Sequence, residues 1–379
     1  MLTSAAPKAR SYDVAVAGGG VIGLSTAFAA LSSGRRVVVI EPDATKSAAW
    51  VAAGMLAPAS EAHFGEEALT RLLLAGAARW PDFASALEGA AGETFGFRTT
   101  PTVAVGVDAA DRSEVRRLVD LQQSLGIEVS TLDRASLRAQ EPLLAGSLLE
   151  AALFRGDHQV DNRALLGALR SAVVSLGGFF IDDVVCSVSA SGAIGKIETA
   201  QNGSVEAIDV VVALGARTSQ LPGITGADLP IVRPVKGHVL RLRGAEPLID
   251  VTVRALVHGR SVYLVPRADG RLVVGATSEE RGFDTTVTAG EVHQLLDDAR
   301  IVLPGLDELE LEEAIAGLRP GTTSNAPVIQ RIDDGPVIVA TGHFRNGILL
   351  APITAEIVMA LLSGTSTTAL DLLAAAQGS

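Results

Sequence analysis

The sequence contains a single cysteine, Cys186, among its 379 residues. An internal disulfide is therefore impossible, and a metal cage built from several thiolates is excluded as well. The six histidines show no ligand spacing, so we expect no metal site. Because intracellular chains are typically free of disulfides, we expect a cytoplasmic location.

The chain also has few aromatic residues and no basic run. Phe, Trp and Tyr make up 4% of the residues, and 43 acidic residues outnumber 31 basic ones, for a formal net charge of −12. A negative chain without a basic stretch repels phosphate backbones, and few rings remain for base stacking. The composition therefore excludes nucleic acid as a partner.

No apolar run has the character of a membrane-spanning helix. The uncharged stretch at residues 14–34 is long enough to cross a bilayer, but it contains four glycines in its first half and its apolar pattern changes period partway along. Residues 348–362 are interrupted by Pro352 and Glu356. We expect no stable membrane insertion. With 48% apolar residues, the chain has the composition of a globular protein, and its length allows two or three domains.

A glycine-rich turn lies between a predicted strand at residues 12–17 and a predicted helix at residues 21–32. Gly18, Gly20 and Gly23 have the G-x-G-x-x-G spacing of dinucleotide-binding units, in which a helix N-terminus faces the phosphates. A second predicted strand ends at Glu41, where a carboxylate accepts hydrogen bonds from an adenosine ribose. Since Glu41 would repel a ribose phosphate, the unit predicts FAD or NAD.

Two further glycine turns favour FAD. One follows a predicted strand and contains Gly215; the other, residues 342–352, is bracketed by glycines and opens a helix. Backbone N–H groups and the helix dipole at such a turn suit an anion or an electron-rich flavin edge. An NAD-linked dehydrogenase, the alternative, leaves the second turn unexplained.

Several segments resemble the glycine oxidases of thiamine biosynthesis, within the FAD-dependent D-amino-acid oxidase and sarcosine oxidase family. They are the glycine fingerprint and residues 50–58, 263–267, 274–277, 317–322 and 342–352. The resemblance implies an α/β fold with a Rossmann-like FAD-binding domain assembled from discontinuous segments, and an α+β substrate domain with a mainly antiparallel sheet. We assign residues 1–90, 155–225 and 315–379 to the first domain, and 91–154 and 226–314 to the second.

The resemblance also implies a set of residues that bind FAD. We expect noncovalent binding, because Cys186 lies outside the matching segments. The expected FAD-binding residues are Gly18, Gly20, Val21, Ile22, Gly23, Glu41, Pro42, Ala53, Gly54, Met55, Val185, Gly215, Gly342, His343, Arg345, Asn346, Gly347, Ile348 and Leu349.

The activity implied by the resemblance is oxidative deamination of glycine or a small D-amino acid, with oxygen as electron acceptor and hydrogen peroxide as product. The imine of glycine would feed thiazole formation. Arg319 offers a planar fork of donors for the substrate carboxylate, and Tyr263 adds a hydroxyl. By match to the family, the backbone carbonyl of Arg345 is expected to hold the amine. Met55 and Ser278 are expected to line the substrate pocket.

Two positions depart from the family pattern. Ala49 stands where a flavin-contacting serine is common, and Ser278 stands where glycine oxidases commonly have a methionine. A smaller wall at residue 278 would admit sarcosine or D-alanine as well as glycine. The open alternatives are an oxidase for sarcosine or other N-methyl amino acids, a D-amino-acid dehydrogenase, and a non-catalytic FAD-binding subunit. A homo-oligomer is also possible.

Overall fold

The computed structural model describes residues 12–224 and 229–378 of the chain. The strands are β1 Tyr12–Ala17, β2 Val37–Ile40, β3 Met55–Leu56, β4 Thr102–Gly106, β5 Ser130–Asp133, β6 Glu150–Phe154, β7 His158–Gln159, β8 Phe179–Ile181, β9 Val185–Ser191, β10 Ile194–Thr199, β11 Ser204–Val212, β12 Arg233–Arg243, β13 Thr252–Val257, β14 Arg260–Pro266, β15 Arg271–Gly275, β16 Glu310–Gly321, β17 Val328–Arg331 and β18 Val337–Thr341.

Helices connect and cover these strands. They are α1 Val21–Ser32, α2 Ala48–Val51, α3 Glu67–Ala78, α4 Trp80–Ala91, α5 Ala109–Ser124, α6 Arg134–Gln140, α7 Asn162–Ser175, α8 Ala289–Val302, α9 Ala351–Ser363 and α10 Thr368–Gln377. Short 3₁₀ turns occupy Ala44–Lys46, Gly215–Gln220 and Pro304–Glu308.

The first sheet carries the dinucleotide pattern. Its strands run in the order β17-β18-β11-β1-β2-β8, and β10 and β9 extend it beside β11. β1 pairs in parallel with β2 and β11, and β11 pairs in parallel with β18. Because parallel strands share one carboxyl edge, the turns that follow β1, β2, β11 and β18 meet there.

The second sheet has the order β16-β12-β15-β14-β13-β4-β6-β5. Its neighbouring strands are antiparallel except for the parallel pair of β13 and β4. The first sheet is Rossmann-like, with parallel pairs among β18, β11, β1, β2 and β8 and antiparallel pairs at β17, β10 and β9. Together with the mainly antiparallel second sheet, it confirms the predicted fold class.

Separate apolar clusters stabilise the two sheets. Helices α1, α7 and α9 contribute to a core over one face of the first sheet, where Leu24, Leu169 and Ile357 are almost fully buried. The second sheet packs against α8 through a cluster that includes Leu240 and Leu295. A smaller cluster joins residues 51–55 to the second sheet and includes Tyr263.

The apolar spacing of the sequence predicts helices over residues 60–87 and 157–176, and both begin later in the structure than this spacing indicates. The helical pattern of residues 60–87 forms α3 and α4, which meet at Arg79, and Pro81 lies in the first turn of α4. The helix predicted from residue 157 begins at Asn162, because the Asp161 side chain accepts from the N–H groups of Arg163 and Ala164. Because α3 begins only at Glu67, residues 60–66 form a loop, and this loop contributes Glu61 to the site described below.

The domain assignment remains a prediction. Residues 1–11 of the first assigned segment and the boundary between residues 225 and 226 lie outside the described residues. The assigned boundary at residue 315 falls inside β16, the whole of which lies in the second sheet.

Over residues 12–224 and 229–378, no single helix is long and apolar enough to cross a bilayer. One bent pair, α9 and α10, meets the criteria of length and composition when the two helices are taken together, with an angle of 108° between them.

Candidate active site

The turn after β1 depends on two of its glycines. Gly18 has a φ of +109°, and a Cβ there would lie 2.5 Å from the carbonyl oxygen of Ala213 at the end of β11. A Cβ on Gly23 would lie 1.9 Å from the carbonyl oxygen of Gly18. These contacts are too short for any side chain. Gly20 differs, since its Cβ would meet only Ser47 at 3.6 Å and so leaves the backbone open to a ligand.

The N-terminus of α1 points at this open backbone. No side chain caps the helix at Gly20, and the first backbone bond of the helix runs from the Leu24 N–H to the Gly20 carbonyl. The N–H groups of Val21, Ile22 and Gly23 precede that bond. A helix start of this kind binds the negative charge of a diphosphate.

Glu41 follows β2 and lies beside the glycine turn. Its Oε2 accepts from the Gly19 N–H at 2.7 Å, and its Oε1 accepts from the Asp43 N–H at 2.9 Å. The carboxylate is half-buried, and the neighbouring Pro42 is exposed. Glu41 therefore holds the glycine turn in place and retains acceptor capacity for a ribose hydroxyl.

The turns after β11 and β18 touch each other at the same edge. The Thr341 hydroxyl donates to the Gly215 carbonyl at 2.9 Å. Gly215 has a φ of +55°, and a Cβ there would meet nothing within 4 Å. Gly342 has a φ of +75° and approaches Thr322, which follows β16. Both glycines thus lie where backbone is presented at the carboxyl edge of the sheet.

The segment after Gly342 is buried or half-buried except at Arg345. The His343 Nε2 lies 2.9 Å from the Thr354 hydroxyl, and burial lowers the pKa of His343 to about 3, so its imidazole is neutral. The Phe344 N–H donates to the Pro320 carbonyl at 2.9 Å. Arg345 has an exposed side chain and Gly347 is half-buried, whereas the remaining members of the predicted set are buried: Asn346, Ile348 and Leu349.

Two buried arginines hold the segment at residues 50–55. Arg241 Nη2 donates to the carbonyls of Trp50 at 3.1 Å and Ala52 at 3.2 Å, and Arg267 Nη2 donates to that of Ala53 at 2.5 Å. Burial lowers the pKa of each arginine to about 10, which leaves both charged at neutral pH. No pattern in the sequence predicts this role for either side chain.

Gly54 and Met55 complete this segment. Gly54 has a φ of +78°, and a Cβ there would lie 2.0 Å from the Val160 carbonyl oxygen. Met55 packs on the cluster that contains Tyr263. Ala49, at the position of the expected serine, is buried, and its carbonyl accepts from Asn162 Nδ2 at 2.6 Å.

Tyr263 and Arg319 lie over two glycines of the second sheet. A Cβ on Gly275 would lie 2.3 Å from the Tyr263 hydroxyl oxygen, and a Cβ on Gly237 would lie 2.2 Å from Arg319 Nη1. The two side chains therefore lie flat on the same face of the sheet, Tyr263 coming from β14 and Arg319 from β16. Arg319 Nη1 donates to the Thr277 carbonyl at 3.0 Å, and burial lowers the Arg319 pKa without removing its charge.

The Tyr263 side chain and its neighbours are electrostatically connected. Burial raises the pKa of Tyr263, so its hydroxyl stays protonated and can donate a hydrogen bond. Arg319 and Glu61 are among the charges that act on the phenol. The arrangement presents a phenol O–H and a guanidinium together, which is a donor set for a carboxylate.

A buried ion pair borders the same face. Arg254 is the direct cross-strand partner of Tyr263, and its Nη1 lies 2.6 Å from Glu61 Oε1. Burial raises the pKa of Glu61, but Arg254 and Arg345 outweigh that effect and lower it below its usual value. Burial, followed by the charge of Arg345, lowers the pKa of His63 in the same loop. Arg254 and Glu61 are 193 residues apart in the sequence, so only the fold reveals this ion pair.

Two predicted residues differ from the rest of the predicted set in exposure or in position. Ser278 follows Thr277 and has an exposed side chain. Val185 begins β9 and packs on the cluster at the other face of the first sheet. The roles predicted for both remain predictions.

The residues at the carboxyl edge of the first sheet fit FAD. Gly20 leaves an open approach, Glu41 would accept from a ribose hydroxyl, and the uncapped start of α1 suits a diphosphate. Met55 and the turn after β18 contact the second sheet, so these two elements would hold the flavin part of the cofactor. The bound cofactor supplies the acceptor for two electrons.

The family model for FAD dependent oxidoreductases matches residues 13–361. The glycine oxidase of Geobacillus kaustophilus is 32% identical over 95% of this chain and 95% of its own length. The bifunctional protein ThiO/ThiG of Trichormus variabilis is 32% identical over 91% of this chain, but the match covers 52% of that protein, so the chain spans about half its length.

The chain is also similar in structure to a glycine oxidase. The crystal structure of glycine oxidase from Geobacillus kaustophilus superposes with a TM-score of 0.88 at 31% identity, covering 95% of this chain and 96% of that one. The predicted family and the predicted cofactor, FAD, are confirmed. The chain therefore belongs to the FAD dependent oxidoreductase family that includes glycine oxidases.

Proposed function

We propose that the chain oxidises glycine or a small D-amino acid to the corresponding imino acid. Two electrons and two protons leave the C–N unit of the substrate, and oxygen becomes hydrogen peroxide. The imino acid then hydrolyses to a 2-oxo acid and ammonia, or passes to thiazole formation, as the resemblance to the glycine oxidases of thiamine biosynthesis implies.

The observation that carries this proposal is the pair formed by Arg319 and Tyr263 over Gly237 and Gly275. Two donors, one of them charged, lie close together, and Met55 packs on the same apolar cluster as Tyr263. A small carboxylate bound there is fixed in orientation, which is the main task left to a protein whose cofactor performs the redox chemistry.

The amine would lie toward the turn after β18. In this proposal the Arg345 carbonyl accepts from the substrate nitrogen, while the Arg345 side chain remains outside. No side-chain base is required when the amine binds neutral, and the neutral His343 is a structural partner of Thr354.

The buried Glu61–Arg254 pair supports a substrate with one carboxylate. Arg254 is already neutralised by Glu61, which leaves Arg319 and the exposed Arg345 as the guanidinium groups near this face. A second acidic group on the substrate would approach Glu61 and be repelled. Glycine, sarcosine and D-alanine all satisfy this condition.

Anaerobic addition of glycine, sarcosine and D-alanine to the purified yellow protein tests the proposal. We expect the flavin absorbance to bleach with at least one of them and hydrogen peroxide to form when air is admitted. Bleaching by sarcosine alone would favour the N-methyl amino acid oxidase. Bleaching without peroxide would favour a dehydrogenase, and no bleaching would favour the non-catalytic subunit.

The remaining assignments are proposed with this function. FAD binds noncovalently, because Cys186, the single cysteine, is exposed in β9. We keep the division into an FAD-binding and a substrate-binding domain, with the whole of β16 assigned to the substrate-binding domain because it lies in the second sheet. The cytoplasmic location and a homo-oligomer stay predictions.

A further inference from the structure

An irregularity in the second sheet lies directly behind Arg319. β15 pairs with β12 as far as Gly275 and Val239, and the next backbone pair joins Lys236 to Glu279. Between these pairs, two residues of β12, Gly237 and His238, oppose the three residues 276–278. An extra residue on one strand is a β-bulge, which turns side chains and carbonyls away from their regular directions.

The bulge brings Thr277 to Arg319. Its carbonyl accepts from Arg319 Nη1 at 3.0 Å. Its hydroxyl accepts from the backbone N–H of His238 at 2.9 Å, a group that the bulge has left without a strand partner. The same hydroxyl lies 2.9 Å from His238 Nδ1 and donates to Glu279 Oε1 at 3.2 Å. Thr277 is therefore fixed through its side chain while its carbonyl holds the guanidinium.

The reverse side of the sheet secures the same segment. His238 has a relative exposure of 0%, and its Nε2 accepts from the Thr288 N–H at 3.4 Å. Lys236, exposed by 1%, pairs with Asp284 at 2.6 Å. These partners, Thr288 and Asp284, lie in the segment that follows the bulge. The segment is thereby attached to β12 at several points, which restricts the movement of Thr277.

We propose that Thr277 is a positioning residue that sets Arg319 for carboxylate binding, and that His238 fixes Thr277 from behind the sheet. An arginine side chain has several rotatable bonds, and ordering it when substrate arrives would weaken binding. A tethered Nη1 leaves the other guanidinium donors already oriented. The proposal rests on the carboxylate role of Arg319 in the proposed function.

The test compares Thr277→Val with Thr277→Ser, and Thr131→Val on the exposed side of β5 serves as a matched control. The measurements are the dissociation constant of acetate, followed by its perturbation of the flavin spectrum, and KM and kcat for glycine. We expect Thr277→Val to raise both the acetate constant and KM by about tenfold, with a smaller change in kcat and full FAD content. Thr277→Ser, which keeps the hydroxyl, restores most of the affinity.

His238→Gln provides a second variant if Thr277→Val fails to fold. We expect it to raise the dissociation constant of acetate as well. In an Arg319→Met background, Thr277→Val should change neither the dissociation constant of acetate nor KM for glycine further, because the Thr277 carbonyl acts only through Arg319. Equal acetate binding by wild type, Thr277→Val and His238→Gln would overturn the inference, and so would an absence of acetate binding in wild type. If acetate binds as expected but no amino acid bleaches the flavin, the proposed oxidation fails and the positioning role stands.

Discussion

The carboxyl edge of the first sheet and the open face of the second are built in different ways. In the first, the proposed cofactor site is made of backbone: Gly18, Gly20 and Gly23 shape the turn, and the start of α1 supplies the N–H groups. In the second, the proposed substrate site is made of side chains, Tyr263 and Arg319, that come from strands far apart in sequence. A backbone site leaves a contiguous motif in the sequence, whereas a side-chain site is assembled only by the topology.

The largest effect is expected at the backbone site. Gly23→Ala places a Cβ 1.9 Å from the Gly18 carbonyl oxygen, which the turn cannot accommodate. We expect the variant to lose FAD, measured as absorbance of the purified protein. Gly167→Ala, within α7 and with nothing within 4 Å, is the control and should keep FAD with about 0.5–1 kcal/mol of added stability. Full flavin content in Gly23→Ala would show that the turn does not set the binding site.

Arg319→Ala should separate the two regions. Loss of a hydrogen-bonded charged partner costs about 1.5–3 kcal/mol, so kcat/KM for glycine should fall about tenfold to a hundredfold or more, while FAD is retained. The assay is peroxide formation together with the flavin absorbance of the same sample. An unchanged kcat/KM for every accepted amino acid would remove Arg319 from the substrate site.

Glu61→Gln tests whether the ion pair borders that site. The change leaves the Arg254 charge buried with a neutral partner, and breaking a buried pair typically costs about 3–5 kcal/mol, an upper bound here because both side chains keep some exposure. Thermal unfolding should report the loss. Because the freed Arg254 attracts anions, the ratio of kcat/KM for D-aspartate to that for D-alanine should rise. If stability falls and this ratio stays constant, the pair is purely structural.

Asp157 offers a pH-dependent comparison. Burial raises its pKa to about 6, and its carboxylate accepts from the N–H groups of Ala59 and Ser60, which precede Glu61. A folded-state pKa above the unfolded value means that the folded state binds more protons between pH ~4 and ~6. The Asp157 contribution to stability therefore falls as pH rises through this window. Asp157→Asn should remove that slope in unfolding measurements, and an unchanged slope would assign it to other groups.

The smallest expected effect is at Ser278. If its side chain faces the substrate when the site is filled, Ser278→Met should lower kcat/KM for D-alanine and sarcosine relative to glycine, because overpacking costs about 1–3 kcal/mol. Steady-state assays with the three substrates measure the ratios. Since the Ser278 side chain is exposed, constant ratios would identify the serine as a surface substitution.

The proposed nucleotide half of the site consists of residues that are close together in the sequence. Gly18, Gly23 and Glu41 lie within one strand–helix–strand unit, and the structure places Glu41 on the Gly19 N–H. The helix predicted from residue 60 was wrong in its first turn, because a continuous apolar pattern did not reveal that residues 60–66 form a loop.

The proposed substrate half rests on the family resemblance, and no local pattern in the sequence predicts it. Arg319 and Tyr263 have no periodicity or spacing of their own, and Arg254, which pairs with Glu61 across 193 residues, gave no signal at all. One signal was present but unused: Gly237 lies inside a β-strand, where glycine often marks a close approach by another group. That approach is made by the Arg319 guanidinium.

The most direct measurement of the central claim is the dissociation constant of glycine in Gly237→Ala, taken from anaerobic flavin reduction. A Cβ at residue 237 would displace the Arg319 guanidinium without touching the first sheet, whereas Gly156→Ala, with nothing within 4 Å, leaves the site intact. The account predicts full FAD content in both variants and glycine binding weakened about tenfold or more in Gly237→Ala alone. Wild-type glycine affinity in Gly237→Ala, or loss of its flavin, would contradict the account.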